Sequence, residues 1–208
     1  GPRGDEPHYL MVAESLLRDA DLSLEEDYAR GRYRAFHDAP LEPHYRVRGR
    51  EGEIFSLHAV GLSLLVLPAW AAAGYAGVGV LLALVAALVA REVREWVREL
   101  TGREALADAA GWAAVLSAPL AHYAGLVFTE VPAALALSFG LRAGRRNAPW
   151  AAVAVGACAA ALPWLNVRYA PLAVVVVAHA LWRSPRRAPW LLAPGIVSAA
   201  GVVAYHQA

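Results

Sequence analysis

Four short stretches carry the side chains that could do chemistry. Asp5-Glu6-Pro7-His8-Tyr9 sets two adjacent carboxylates ahead of an apolar run. A carboxylate held there can take a proton from a hydroxyl or bind a cation. Equally, Asp5 can cap a helix and Glu6 can complement its dipole. Thr129-Glu130-Val131-Pro132 holds the only charge between Asp108 and Arg142. An ionisable residue in so apolar a setting points to function, with capping of a helix from Val131 as the structural alternative. Asn166-Val167-Arg168-Tyr169 offers a lone guanidinium, which can grip a phosphate through two hydrogen bonds or reach toward lipid headgroups. The fourth set is histidine. His8, His37, His44 and His58 follow one another at spacings of 29, 7 and 14 residues, which match no compact metal-ligand motif. His122 and His179 stand alone in apolar runs, where packing is the ordinary role. The single Cys158 excludes an internal disulfide and a cysteine-based zinc cage. It reads as a small buried hydrophobe. No phosphate-binding glycine loop, serine-hydrolase elbow or His-Glu-x-x-His pair is present. These residues select no cofactor; a divalent metal is compatible with the acidic pair but not indicated.

The elements that must position these residues are apolar. Of 208 residues, 58% are hydrophobic and 18% charged, against about 25% charged in soluble domains. The charges are segregated. Residues 1–58 hold 12 of the 18 acids and 8 of the 19 basic residues, all arginines. The remainder carries a net of +5 on a background of Ala, Val, Leu, Gly and Trp. A total of +1 gives no general attraction to nucleic acid.

Residues 5–58 read as a polar head with helical pieces. Pro7 suits the first turn of a helix. Tyr9, Leu10, Ala13, Leu16 and Leu17 recur at helical spacing and predict one apolar face. Ser23 with Glu26 fits a capping box, as does Thr101 with Glu104. Residues 37–53 hold Pro40, Pro43, Gly49 and Gly52 among charges and read as loop.

From Ala59 to Ala90 there is no charge, and about 20 apolar residues suffice to cross a bilayer. Three later breaks are arginine-rich: Arg91–Glu104, Arg142–Arg146 and Arg183–Arg187. The breaks at Glu130 and Asn166–Arg168 share one arginine. The positive-inside rule puts the first three in the cytoplasm and the other two outside. Crossings are predicted at 75–91, 109–128, 131–144, 149–165, 170–182 and 189–205. Loop parity then keeps residues 57–72 at the outer interface, with Pro68 and Gly74 as the break. Trp150, Trp164, Trp182 and Trp190 fall at crossing ends, as an aromatic belt does. The expected fold is an all-α polytopic membrane bundle over 59–208, carrying an external loop of juxtamembrane helices over 1–58. The expected location is the plasma (inner) membrane, multi-pass, with the active face extracytoplasmic. The N-terminus has no basic-then-apolar leader, and an apolar run reaches almost to the last residue. Both ends read as cuts in a longer protein with an upstream anchor.

Together these pieces resemble the GT-C class of polytopic membrane glycosyltransferases, in particular the protein O-mannosyltransferase and aminoarabinose transferase branch. There an acidic pair opens the first external loop, as Gly4-Asp5-Glu6-Pro7-His8-Tyr9-Leu10 does here. Ser56-Leu57-His58-Ala59-Val60-Gly61-Leu62 through Pro68 is similar to the branch's His/Pro-rich approach to an interfacial helix, although Ala59 and Val60 stand where prolines are common. Thr129-Glu130-Val131-Pro132 fits its second external acid. The resemblance implies transfer of a sugar from a polyprenyl-phosphate donor to a hydroxyl of a lipid, glycan or protein on the outer face. Asp5 would be the general base, and Glu6 and Glu130 would tune it or orient substrate. Arg168 would hold the donor phosphate, and Tyr169, His58 and His8 would line the substrate site. No metal and no nucleic acid is part of this scheme. The first transmembrane helix and the C-terminal part of the family would be missing. The same topology also suits a transporter or lipid flippase, or a scaffold whose external head binds a partner.

Overall fold

The computed structural model describes residues 1–45, 48–49 and 52–207. Arg46, Val47, Arg50 and Glu51 of the expected 37–53 loop lie outside the described residues. The chain is all-helical: α1 (Glu6–Arg18), α2 (Glu25–Ala29), α3 (Gly61–Thr101), α4 (Glu104–Leu116), α5 (Ala118–Tyr123), α6 (Glu130–Ala143), α7 (Pro149–Leu165), α8 (Ala170–Arg183) and α9 (Ala188–Gln207). Short 3-10 turns sit at Arg32–Ala35, Val167–Tyr169 and Pro185–Arg187. There is no strand among the described residues, only one isolated bridge between Ser23 and Phe55.

α3 is the organising element. It bends at Ala73 (φ −150°, ψ 21°) and Gly74 (φ 57°, ψ −144°). The positive φ favours glycine. The bend is sharp: a Cβ on Gly77 would stand 2.4 Å from the Ala69 carbonyl oxygen, whereas eight residues of straight helix span about 12 Å. The break therefore falls at Ala73 and Gly74, and Pro68 lies inside the first half. α1 packs on that first half through Tyr9, Leu10, Ala13, Leu62, Val66 and Trp70. The Ser63 hydroxyl donates to the Tyr9 carbonyl (2.8 Å) and Trp70 Nε1 to Glu14 (2.9 Å). α1's other side is covered too, by Leu24, Ile54 and Val60 around Val12. Every residue from Glu6 to Ser15 is buried, so the one-faced helix expected from spacing is enclosed all round, and only Leu17 of the apolar set is exposed. At the start of α3, Gly61 touches α7 backbone to backbone; a Cβ there would meet the Trp164 carbonyl oxygen at 2.3 Å.

α6 to α9 form where the sequence placed apolar segments. Two features differ from expectation. The 109–128 segment is not one helix: α4 ends at Leu116, Ser117 is extended, Pro119 opens α5, and residues 124–129 are non-helical. Neither capping box forms. The α2 N-cap is Leu24 and the α4 N-cap is Arg103. Thr101 instead bonds back to the Val97 carbonyl and accepts the Arg103 N–H.

The arginine-rich breaks meet at one end. Arg142 of α6 pairs with Glu92 and Glu99 of α3, and Arg146 also pairs with Glu99. The N-terminal head, the start of α6 and the end of α7 meet at the other. Between the ends, large apolar side chains point outward, among them Val80, Leu84, Val153, Val174 and Val197. α3 alone, among the described residues, is long and apolar enough to cross a membrane; α7 and α9 are shorter apolar helices.

Candidate functional site

The first turn of α1 separates the two adjacent carboxylates. Glu6 is buried (2% exposed) and fully engaged. It accepts hydrogen bonds from the Arg3 N–H (2.8 Å), the Val127 N–H (2.7 Å) and the Tyr75 hydroxyl (3.3 Å). One carboxylate thus fastens the start of α1, the second half of α3 and the loop before α6 to one another. Asp5 occupies the N-cap position, yet its side chain makes no capping bond. It is about half exposed (48%) and faces His44, with Oδ1 3.8 Å from Nδ1.

Three histidines distant in sequence gather beside Asp5. His8 and His44 stack with ring centroids 3.7 Å apart, and His58 lies 5.7 Å from each. His58 also packs against the Tyr9 ring at 4.8 Å. His8 Nδ1 bonds the Tyr28 hydroxyl (3.0 Å). Burial and the neighbouring imidazoles push the His8 pKa down to about 4. Burial lowers His58 as well, against the pull of Asp5. His37 is elsewhere, bonding the Pro2 carbonyl. The spacings of 29, 7 and 14 hide this cluster, because the return of the chain at His44 and at His58 to the start of α1, and not local periodicity, brings the rings together. His44 is the residue that sequence reasoning left out of the site. A backbone bond, Leu57 N–H to the His44 carbonyl (2.8 Å), sets its place, and no local pattern announces it. Asp5, His44 and His58 could hold a metal, their ligand atoms all lying within 4.8 Å of one another.

Glu130 and Arg168 border the same end. Glu130 opens α6 and is exposed. Thr129 caps nothing with its side chain and instead bonds the Tyr169 hydroxyl (3.0 Å). Arg168, in the turn after α7, is exposed too. Electrostatics tie the set together. Burial raises the Tyr9 phenol to about 12, and the charges of both Asp5 and Glu130 add to the rise. Burial raises Tyr169 also; Glu130 adds to that rise, while the Thr129 bond and Arg168 oppose it. Tyr9 and Tyr169 pack in one cluster, Asp5 faces the histidines beside Tyr9, and Glu130 and Arg168 flank the bond between Thr129 and Tyr169, although more than 160 residues separate Asp5 from Tyr169. This end contains an exposed carboxylate beside imidazoles, a second carboxylate and a guanidinium. Such a set can accept a proton and neutralise a phosphate.

No family model, no curated protein and no solved structure matches the chain.

Proposed function

We propose that the chain belongs to a polytopic membrane glycosyltransferase of the GT-C kind, moving a sugar from a polyprenyl-phosphate donor to an acceptor hydroxyl on the outer membrane face. The membrane reading rests on the outward apolar surface of α3, α4, α7, α8 and α9. Patches of that extent on a water-facing protein mark membrane or partner contact. The arginine-rich breaks at one end and the acidic head at the other support an extracytoplasmic active face.

One observation carries the chemical reading. Asp5 makes no capping bond and faces His44, at the end where Thr129, beside Glu130, bonds Tyr169, beside Arg168. The reaction needs a base and a phosphate clamp within reach of one reacting carbon. The acceptor oxygen attacks the anomeric carbon, its proton passes to the Asp5 carboxylate, and the carbon–phosphate oxygen bond breaks. Polyprenyl phosphate leaves with the bonding pair, its charge met by Arg168. Glu130 orients the acceptor, with His8, His58 and Tyr169 as walls. Glu6, saturated with hydrogen bonds, is a positioning residue that holds α1 and hence Asp5. A transporter would expose unpaired charges inside the bundle; the buried Glu92 and Arg142 instead pair with each other.

The test is sugar transfer from a labelled polyprenyl-phosphate sugar by the full-length protein in membranes. Asp5→Asn keeps the side-chain shape and is expected to cut transfer by about 10²–10⁴-fold, with donor binding and melting temperature unchanged when both proteins are compared free of metal. Undiminished transfer would remove Asp5 as the base.

A further inference from the structure

We propose that Asp5, His44 and His58 form a binding site for a divalent metal ion of zinc's class. His44 Nδ1 faces His58 Nε2 at 3.4 Å and Asp5 Oδ1 at 3.8 Å, and all the ligand atoms fall within 4.8 Å. Around tetrahedral zinc with bonds of about 2.0–2.2 Å, neighbouring ligand atoms stand roughly 3.3–3.5 Å apart. Shifts of side chains that are 43–48% exposed in His44 and Asp5 suffice to close the set. Hydrogen bonding does not account for the geometry. His44 Nδ1 carries one hydrogen or one lone pair, so it can serve only one of its two neighbours, and both distances exceed the usual range for such bonds.

The fold holds the donors from three separate segments. Asp5 comes from the start of α1, His44 from the loop and His58 from the approach to α3. The Leu57 N–H bond to the His44 carbonyl (2.8 Å) fixes the two histidine segments side by side. The Ser56 hydroxyl accepts the His58 N–H (3.1 Å). His8, held by Tyr28, backs the His44 ring. Groups that orient a ligating imidazole without touching the ion are the usual surroundings of a metal site. Two imidazoles and one carboxylate suit zinc; calcium and magnesium take oxygen donors. Three protein ligands leave a fourth position open, as in catalytic rather than structural zinc. Metal binding stands on this geometry alone. It does not depend on the transfer reading, because an Asp5 carboxylate oxygen bound to the ion is not free to take the acceptor proton.

The experiment titrates Zn²⁺ calorimetrically into the tag-free, chelator-stripped protein in detergent, with Co²⁺ as a visible-absorption probe. One equivalent and a four-coordinate cobalt spectrum are expected. His44→Ala and Asp5→Asn should each weaken zinc binding by at least about 10–100-fold, the loss typical of even an outer partner. His37→Ala should leave it unchanged, and circular dichroism checks that each variant is folded. No uptake by the parent, or ligand variants that bind zinc as tightly as the parent, overturns the site. Zinc uptake without sugar transfer keeps the site and removes the transferase reading. Transfer without zinc uptake does the reverse.

Discussion

Arg142 of α6 grips both carboxylate oxygens of Glu92 on α3, at 2.6 and 3.0 Å, with neither side chain more than 8% exposed. Glu99 extends the pair toward Arg146 and the surface. Two segments fifty residues apart are thereby locked at the end of the bundle opposite Asp5. Removing one partner strands the other as a buried charge. Arg142→Ala is expected to destabilise the protein by about 3–5 kcal/mol, while the double replacement Glu92→Met, Arg142→Met should recover most of the loss. Thermal unfolding in detergent measures both. A single variant as stable as the parent would show that the pair is not needed.

Glu6 should behave as a fastener. Glu6→Ala leaves the Val127 N–H without its acceptor, and an unsatisfied buried donor costs about 1–3 kcal/mol. Glu6→Gln keeps one acceptor oxygen and should lose less. Denaturant midpoints that rank Ala below Gln below the parent are expected; the reverse order would detach Glu6 from this role.

The buried His8 makes stability pH-dependent in the chelated protein. Its pKa falls from 6.5 to about 4 in the folded state, so the native protein binds this proton less readily than the unfolded chain. The contribution is complete above pH 6.5 and is lost as pH falls through about 4. Carboxylates titrate in the same range, so the comparison is with His8→Phe. The parent should lose stability more steeply than the variant between pH 6.5 and 4; parallel curves would contradict the assignment.

Topology is accessible to labelling. In a Cys158→Ala background, cysteines at Ser23 and Ser184 should react with an impermeant reagent from opposite sides of sealed vesicles. The acidic head and the arginine-rich breaks lie at opposite ends of the bundle, and arginine marks the cytoplasmic side. Labelling of both from one side would sink the outer-face assignment.

Local chemistry made the helical segments legible. Arginine clusters, Pro149, Pro171 and Pro185 punctuate the apolar runs, so the segments read from sequence over 131–144, 149–165 and 170–182 correspond to α6, α7 and α8. The break was legible in part: loop parity asked for one at Pro68 and Gly74, and of the two only Gly74 takes the positive φ at which the helix turns. The capping boxes misled for the opposite reason. A hydroxyl with a backbone carbonyl in reach has more than one local bond to choose, and Thr101 took the carbonyl of Val97, four residues back.

By itself, the sequence determined the helical class, the segregation of charge to the ends of the apolar runs and the stretches holding Asp5, Glu130 and Arg168. Those properties follow from composition and short-range spacing. Tertiary structure alone decided that α1 is buried on every side, that Asp5 faces His44 while its neighbour Glu6 is saturated, and that His8, His44 and His58 share one place. Each of these depends on where a loop returns the chain. A pairing such as Leu57 with His44 is set by the sum of packing around α1 and α3, which no short window of residues contains.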